Sequence, residues 1–436
     1  MDNPPTVAFA DLVRASARIG ALSFGGPAGQ IALMHREFVD ERKWVEEGAF
    51  LRALNLCHLL PGPEAQQLAT WIGWRLHGVR GGLVAGLLFV IPGALVMLGL
   101  SALYVAAAGL DWFAALFLGI KAAVLAIVAQ ALVRVASRAL TTRFKQGLAV
   151  ASFLALALYS VPFPLVIALA AAVGALVSRS RPDWLGAHKV PPPPPDDAPS
   201  GRALARSTIA TVAIWLAIWA APMALVAATL GTGHVLWDVG VFFSKLAVVT
   251  FGGAYAVLGY MAQEAVNGLG WVSPSEMADG LGLAETTPGP LIMVTQFVGF
   301  LAGWRDAAPL SPMGGALAAA ALTTWVTFAP CFLWIFACAP WMDRLERSPA
   351  LQGALAAITA AVVGVIANLA LWFGWHVLVP DFRLFGASLP AQFDWRAAVI
   401  AAVAALLIFA FKRGIVTTLA VCGALGLALG LAFPLV

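Results

Sequence analysis

Long apolar runs dominate this chain, and the polar breaks between them define its elements. Runs near 83–107, 112–135, 207–230, 313–338 and 349–375 each hold the roughly 20 apolar residues that cross a hydrocarbon layer as a helix. Shorter runs at 147–159 and 162–178 are parted by Pro162, and those at 396–411 and 414–434 by Lys412-Arg413, which predicts two further helix pairs. Four stretches, 7–31, 49–76, 239–262 and 277–302, are apolar but irregular, and the second and fourth are split by Pro-Gly-Pro. Residues 179–206 contain five consecutive prolines and predict an extended linker. The organisation expected is a unit over 1–178, the linker over 179–206, and an extra span plus a second unit over 207–436.

Composition narrows the class. Of 436 residues, 61% are hydrophobic and 11% charged, far from the balance of a soluble domain. The same numbers exclude disorder, and four cysteines in apolar surroundings exclude a disulfide scaffold. A net charge of +4 is too small to suggest nucleic acid as a partner. The opening residues, MDNPPTVAFADLV, lack the early basic cluster of a cleavable signal, so insertion is expected to rest on internal segments. The reading is an all-α, polytopic membrane protein in contact with lipid, with no metal site and no cofactor.

An internal repeat sharpens it. A shift of 227 positions places Phe24-Gly25-Gly26 on Phe251-Gly252-Gly253, Trp44 on Trp271, Glu37 on Glu264, and Pro61-Gly62-Pro63 on Pro288-Gly289-Pro290. Residues 24–63 then show thirteen identities in forty positions, where ordinary usage gives roughly three. With different loop lengths, Ile120-Lys121-Ala122-Ala123 lies on Ile358-Thr359-Ala360-Ala361. The additional span at 207–230 would insert the second unit upside down. Basic residues agree, because Arg75, Arg80, Arg134, Arg138, Arg143, Lys145 and the linker's cations fall on alternate turns, as do Arg344, Arg347 and Lys412-Arg413. This predicts two inverted repeats with broken or re-entrant helices and a cytoplasmic linker, the recurring plan of secondary transporters.

Candidate chemistry gathers at the breaks. Proline cannot continue a helix, and broken backbone at membrane depth is tolerated only where it is buried or lines a wet cavity. Half-helices starting near Glu64 and Leu291 would aim free N–H groups at a common point and form an anion site; the alternative is a packing kink. Arg18 and Lys245 stand six residues before each Phe-Gly-Gly and would complete a cage for a dianion, or else snorkel to the interface. Lys121 either neutralises substrate charge or pairs with an acid. The Phe-Gly-Gly motifs serve substrate contact or close helix packing. His58 and Glu285 are repeat-equivalent and are candidates to carry a coupling proton, as is Glu64, whose alternative role is a cap. Gln66 and Gln67 supply uncharged donors. Neither a phosphate-binding GxxxxGK[ST] loop nor an HExxH zinc pattern occurs, so no enzyme is expected.

The runs FGGPAGQIALMHREFVDERKW, LNLCHLLPGPEAQQLATWIGWRLHG and GGLVAGLLFVIPG, with FGGAY and GLAETTPGPL in the second half, resemble the chromate ion transporter family. The resemblance covers nearly the whole chain outside the linker. It implies export of chromate, a tetrahedral dianion like sulfate, from the bacterial cytoplasm across the inner membrane, by transport coupled to the proton gradient or to a counter-anion, and chromate resistance. The family motifs fall on Phe24, Gly25, Gly26, Pro27, Gln30, Trp44, Pro61, Gly62, Pro63, Glu64, Gln66 and Gln67, and on Phe251, Gly252, Gly253, Pro288, Gly289 and Pro290. His58 departs from the pattern, where an apolar residue is expected. A sulfate carrier of the same plan, and a passive anion channel, stay open as alternatives, as does a homodimer.

Overall fold

In the computed structural model, the described residues are 7–24, 26–186, 201–251, 253–345, 347–379 and 393–433. Among them the chain is helical and has no strand. The first unit runs α1 (Phe9–Leu22), α2 (Gly26–His35), a π-helical turn (Arg36–Glu41), α3 (Glu47–Leu59), α4 (Glu64–Ala107), α5 (Asp111–Ala139), α6 (Arg143–Tyr159) and α7 (Phe163–Ser180). A 3-10 turn (Pro182–Leu185) leads towards the linker, of which 187–200 lie outside the described residues. The second unit follows as α8 (Gly201–Thr229), α9 (Val235–Val249), α10 (Ala254–Gln263), a π-helical turn (Glu264–Gly268), α11 (Pro274–Thr286), a 3-10 turn (Leu291–Met293) and α12 (Val294–Arg305). It ends with α13 (Pro312–Cys338), α14 (Met342–Leu345), α15 (Pro349–Leu378), α16 (Trp395–Ala405) and α17 (Ile415–Ala432).

Seven of these helices are long and apolar enough to cross a membrane among the described residues. The five long runs of the sequence fall within α4, α5, α8, α13 and α15. Helix α4 has non-helical backbone at His77 and Gly78, so its first turns after the Pro-Gly-Pro break and its long apolar part are separate segments. All four irregular stretches are broken. Two breaks follow Pro-Gly-Pro, between α3 and α4 and between α11 and α12; the other two fall at the Phe-Gly-Gly motifs, between α1 and α2 and between α9 and α10.

Helices pack through small residues, which is how apolar helices associate where burial from water offers no drive. Gly119 of α5 lies against the Cys422 carbonyl of α17, Gly174 of α7 against the Gly353 carbonyl of α15, and Gly303 of α12 against the Gly315 carbonyl of α13. Side chains at these points would force the backbones apart. The extra helix α8 is held to α13 by two indole bonds: Trp219 Nε1 donates to the Val326 carbonyl and Trp325 Nε1 to the Ile218 carbonyl, each at 3.1 Å.

The repeat is legible in the backbone. Backbone N–H of Arg42 donates to the Glu37 carbonyl and that of Trp44 to Phe38; at the equivalent places Leu269 donates to Glu264 and Trp271 to Ala265. Ser23 and Thr250 each bond back to the carbonyl four residues earlier, both at 2.6 Å.

Candidate functional site: four broken helices meeting at the repeat junction

Each Pro-Gly-Pro loop is docked on the Phe-Gly-Gly break of the other repeat. The Gly62 N–H donates to the Thr250 carbonyl at 2.8 Å, and the Gly289 N–H donates to the Ser23 carbonyl at 2.9 Å. These are equivalent bonds, since 23 plus 227 is 250 and 62 plus 227 is 289. Ser23 and Thr250 end their helices with carbonyls that no following turn can satisfy, and the partner repeat supplies the donor. Both loop glycines have positive φ, +119° at Gly62 and +85° at Gly289. A Cβ at Gly62 would stand 2.9 Å from Cys331 Sγ, and one at Gly289 would stand 3.3 Å from the Phe89 carbonyl.

Side-chain amides tie the junction further. Gln30 Nε2 donates to the Gly289 carbonyl at 2.5 Å and to the Ser23 carbonyl at 3.3 Å. Gln67 Nε2 donates to the Pro61 carbonyl at 2.7 Å, inside its own loop. Gln66 Nε2 reaches Thr70. The amide oxygens of Gln30, Gln66 and Gln67 are buried without a partner, unusual for polar atoms in an interior. Residues Pro61, Gly62, Pro63, Pro288, Gly289 and Pro290 are buried. Helix α4 begins at Glu64 as expected; after Pro290 a 3-10 turn occupies Leu291–Met293, so α12 starts at Val294.

Carboxylates sit beside both loops. Glu64 is buried, lies 3.5 Å from His58 Nδ1, and its Oε1 would be 3.5 Å from a Cβ at Gly253. Glu285, the repeat partner of His58, accepts a 2.5 Å bond from the Tyr255 hydroxyl. The two candidate coupling groups are therefore each tied to one polar neighbour near a break. Phe24 is exposed and Phe251 half-buried, while Gly26 and Gly253 have positive φ; Gly25 and Gly252 lie outside the described residues.

The expected basic residues are placed differently. Arg18 is ion-paired with Glu37 at 3.4 Å with its side chain 59% exposed, and Glu37 is also held by Arg42 at 2.7 Å. Lys245 is exposed on α9. Neither joins the bonds that close the junction. Lys121 takes the acid-pairing alternative, with Nζ 3.6 Å from Asp279 and donating to Ser275 at 2.8 Å; Asp279 also accepts from the Tyr104 hydroxyl at 2.8 Å. Asp279 and Tyr255 were not singled out by sequence. The available signals were a lone carboxylate in the apolar run MADGLGL and a tyrosine directly following a Phe-Gly-Gly-Ala motif.

A polytopic helical membrane protein whose two repeats lock together at four helix breaks, with buried amides and carboxylates around them, has the build of a membrane transporter. The chromate transporter family model matches residues 10–175 and 237–427, so the chain belongs to that family. It is 33% identical over 408 residues to a chromate transport protein of Pseudomonas aeruginosa, covering 90% of this chain and 89% of the relative. A chromate transport protein of Cupriavidus metallidurans is 29% identical over 369 residues, covering 83% and 82%. A probable chromate transport protein of Synechococcus elongatus is 28% identical over 383 residues, covering 87% and 88%. No solved structure matches the chain.

Proposed function

We propose that this protein is a secondary transporter that carries chromate outward across the cytoplasmic membrane and so confers resistance, with its substrate centre at the junction of the four breaks. The observation that carries this reading is the reciprocal docking of Gly62 on Thr250 and Gly289 on Ser23. Two equivalent breaks held in one buried region form the kind of midplane centre that inverted-repeat carriers use. The names of the relatives supply the substrate.

The inverted arrangement rests on the single extra span α8 and on the cations that collect at alternate turns. In this arrangement the breaks of the first repeat open from the linker side, which is cytoplasmic, and those of the second from the other. The helix N-terminus at Glu64, the 3-10 turn that opens at Leu291, and the second N–H of the Gln66 and Gln67 amides, whose first is taken by Thr70 and Pro61, offer donors to a tetrahedral dianion. Arg18 and Lys245 act as entrance charges, one on each side. Glu64 with His58, and Glu285 with Tyr255, take up and release a coupling proton. Protonation there removes negative charge that would repel the anion. Access alternates when one repeat tilts on the other, exchanging which pair of breaks is open.

Chromate flux in inverted membrane vesicles tests this, with and without an imposed pH gradient and with sulfate as competitor. Gradient-dependent accumulation is expected, with competition by sulfate. Flux that follows the membrane potential alone and does not saturate would replace the carrier with a channel; robust flux of sulfate without chromate would replace the substrate.

A further inference from the structure

A second polar feature lies away from the junction. A cleft of about 840 Å³ opens where α3, the α5–α6 turn, the start of the linker and the N-terminal end of α15 come together. Its lining includes Arg52, His58, Arg138, Lys145, Arg347 and Thr359, and no aspartate or glutamate among the described residues. All of its full cations are on the side that carries the linker.

Lys145 is the unusual member. It is only 8% exposed, and its ammonium donates to the Thr141 hydroxyl at 3.3 Å. No carboxylate pairs with it among the described residues. Gly186, at the edge of the linker, walls it in: a Cβ there would be 3.6 Å from Nζ. An ammonium has three donors, and burying it without a counter-charge is costly unless an anion completes the site. Arg52 and Arg138 are exposed at the same cleft and lack ion-pair partners among the described residues. Their guanidinium groups are suited to bidentate binding of oxyanions.

The repeat makes the asymmetry explicit. The position equivalent to Arg52 is Asp279, that equivalent to His58 is Glu285, and that equivalent to Thr359 is Lys121. In the second repeat, therefore, two of these three places hold carboxylates, Asp279 held by Tyr104 and Lys121 and Glu285 by Tyr255, and the third holds Lys121 itself. Two copies of one fold therefore differ in charge at matching positions, with Arg52 against Asp279 the full reversal. His58 also lines the cleft while lying 3.5 Å from Glu64 at the first break, which connects the cleft to the junction.

We propose that this cleft is a second anion site, distinct from the junction, which takes a tetrahedral dianionic oxyanion from the linker side with Lys145 as its buried anchor and Arg52 and Arg138 at its mouth. It deepens the transport reading: it is the loading site, and its one-sidedness gives the carrier a preferred direction of capture. The shared chemistry is an oxyanion with two negative charges, and the competing source is the phosphate of an anionic lipid.

The test uses the full chain in nanodiscs made of phosphatidylcholine alone, with equilibrium dialysis of radiolabelled chromate and, separately, sulfate. Lys145→Gln is expected to weaken binding roughly tenfold or more, the loss typical of a charged hydrogen bond, and Lys145→Arg to restore most of it. In vesicles, Lys145→Gln should raise the KM for chromate presented to the linker side while leaving the KM from the other side near wild type. Should Lys145→Gln fail to fold, Arg52→Gln and Arg138→Gln, at exposed positions, carry the same comparison. Wild-type affinity in all three variants, or an equal rise of KM from both sides, would overturn the proposal. So would retention of phosphatidylglycerol in the cleft that neither oxyanion displaces. Wild-type vesicles that move no chromate would instead overturn the transported substrate, leaving the binding measurement to decide the cleft.

Discussion

Gly62 and Gly289 each combine a positive φ with a neighbour where a side chain would begin. A left-handed backbone costs an L-residue about 1–2 kcal/mol, and the Cβ at Gly62 must also displace Cys331. Gly62→Ala is therefore expected to lower thermal stability in detergent more than Gly289→Ala, and both to reduce chromate flux. Equal stability of the two variants to wild type would show that the loops relax freely. Lys121 and Asp279 illustrate pairing in the same interior. Asp279→Asn leaves an ammonium without its counter-charge, so it should cost about 1–3 kcal/mol, read as a lowered melting temperature. Adding Lys121→Met should recover much of the loss, because an apolar pair is tolerated where half an ion pair is not. The candidate roles at this scale were only partly legible. That Lys121 sits within a span was plain from its apolar neighbours, but that its partner is Asp279, 158 positions away, depends on α5 and α11 packing side by side.

Among elements, the helix breaks divide into two kinds. The Pro-Gly-Pro breaks are written locally, since proline removes the N–H and blocks the next turn. The Phe-Gly-Gly breaks are not. Glycine tolerates a break without requiring one, and here the chain turns because the Ser23 and Thr250 carbonyls are taken by glycines of the other repeat. Gln30 reinforces one of these contacts by bridging the Ser23 and Gly289 carbonyls. Gln30→Leu removes that bridge from a buried place and should destabilise the protein by about 1–3 kcal/mol, detectable as earlier aggregation on heating, with flux reduced. An unchanged melting temperature would mean the two backbone bonds hold the breaks without it. The matched π-helical turns at Arg36–Glu41 and Glu264–Gly268 carry no periodic signature. What connects them in sequence is Glu37 and Glu264 at one repeat position.

For the whole molecule, the reciprocal docking makes each half complete the other. Residues 1–186 alone leave the Pro61–Pro63 loop without Thr250, and residues 201–436 alone leave Gly289 without Ser23. Neither half expressed singly is expected to move chromate into vesicles, whereas co-expression should restore measurable flux. Flux from one half alone would show that the breaks need no partner repeat. The duplication was legible because it leaves aligned residues, and it returns in the structure as matching backbone bonds. The basic cleft was not. Arg52, Arg138, Lys145 and Arg347 are scattered over almost 300 positions and read, one by one, as ordinary cytoplasmic charge.

The sequence by itself determined the helical spans, the duplicated unit and the two Pro-Gly-Pro breaks, because apolar run length and proline act within a few residues of where they stand. Tertiary structure decided which groups complete one another: Gly62 with Thr250, Gly289 with Ser23, Lys121 with Asp279, and Lys145 with no carboxylate at all among the described residues. Those outcomes depend on burial and on charges brought together from distant parts of the chain. A hydrogen bond or an ion pair gains its worth from the water it excludes, and no single stretch of sequence specifies where that water has gone.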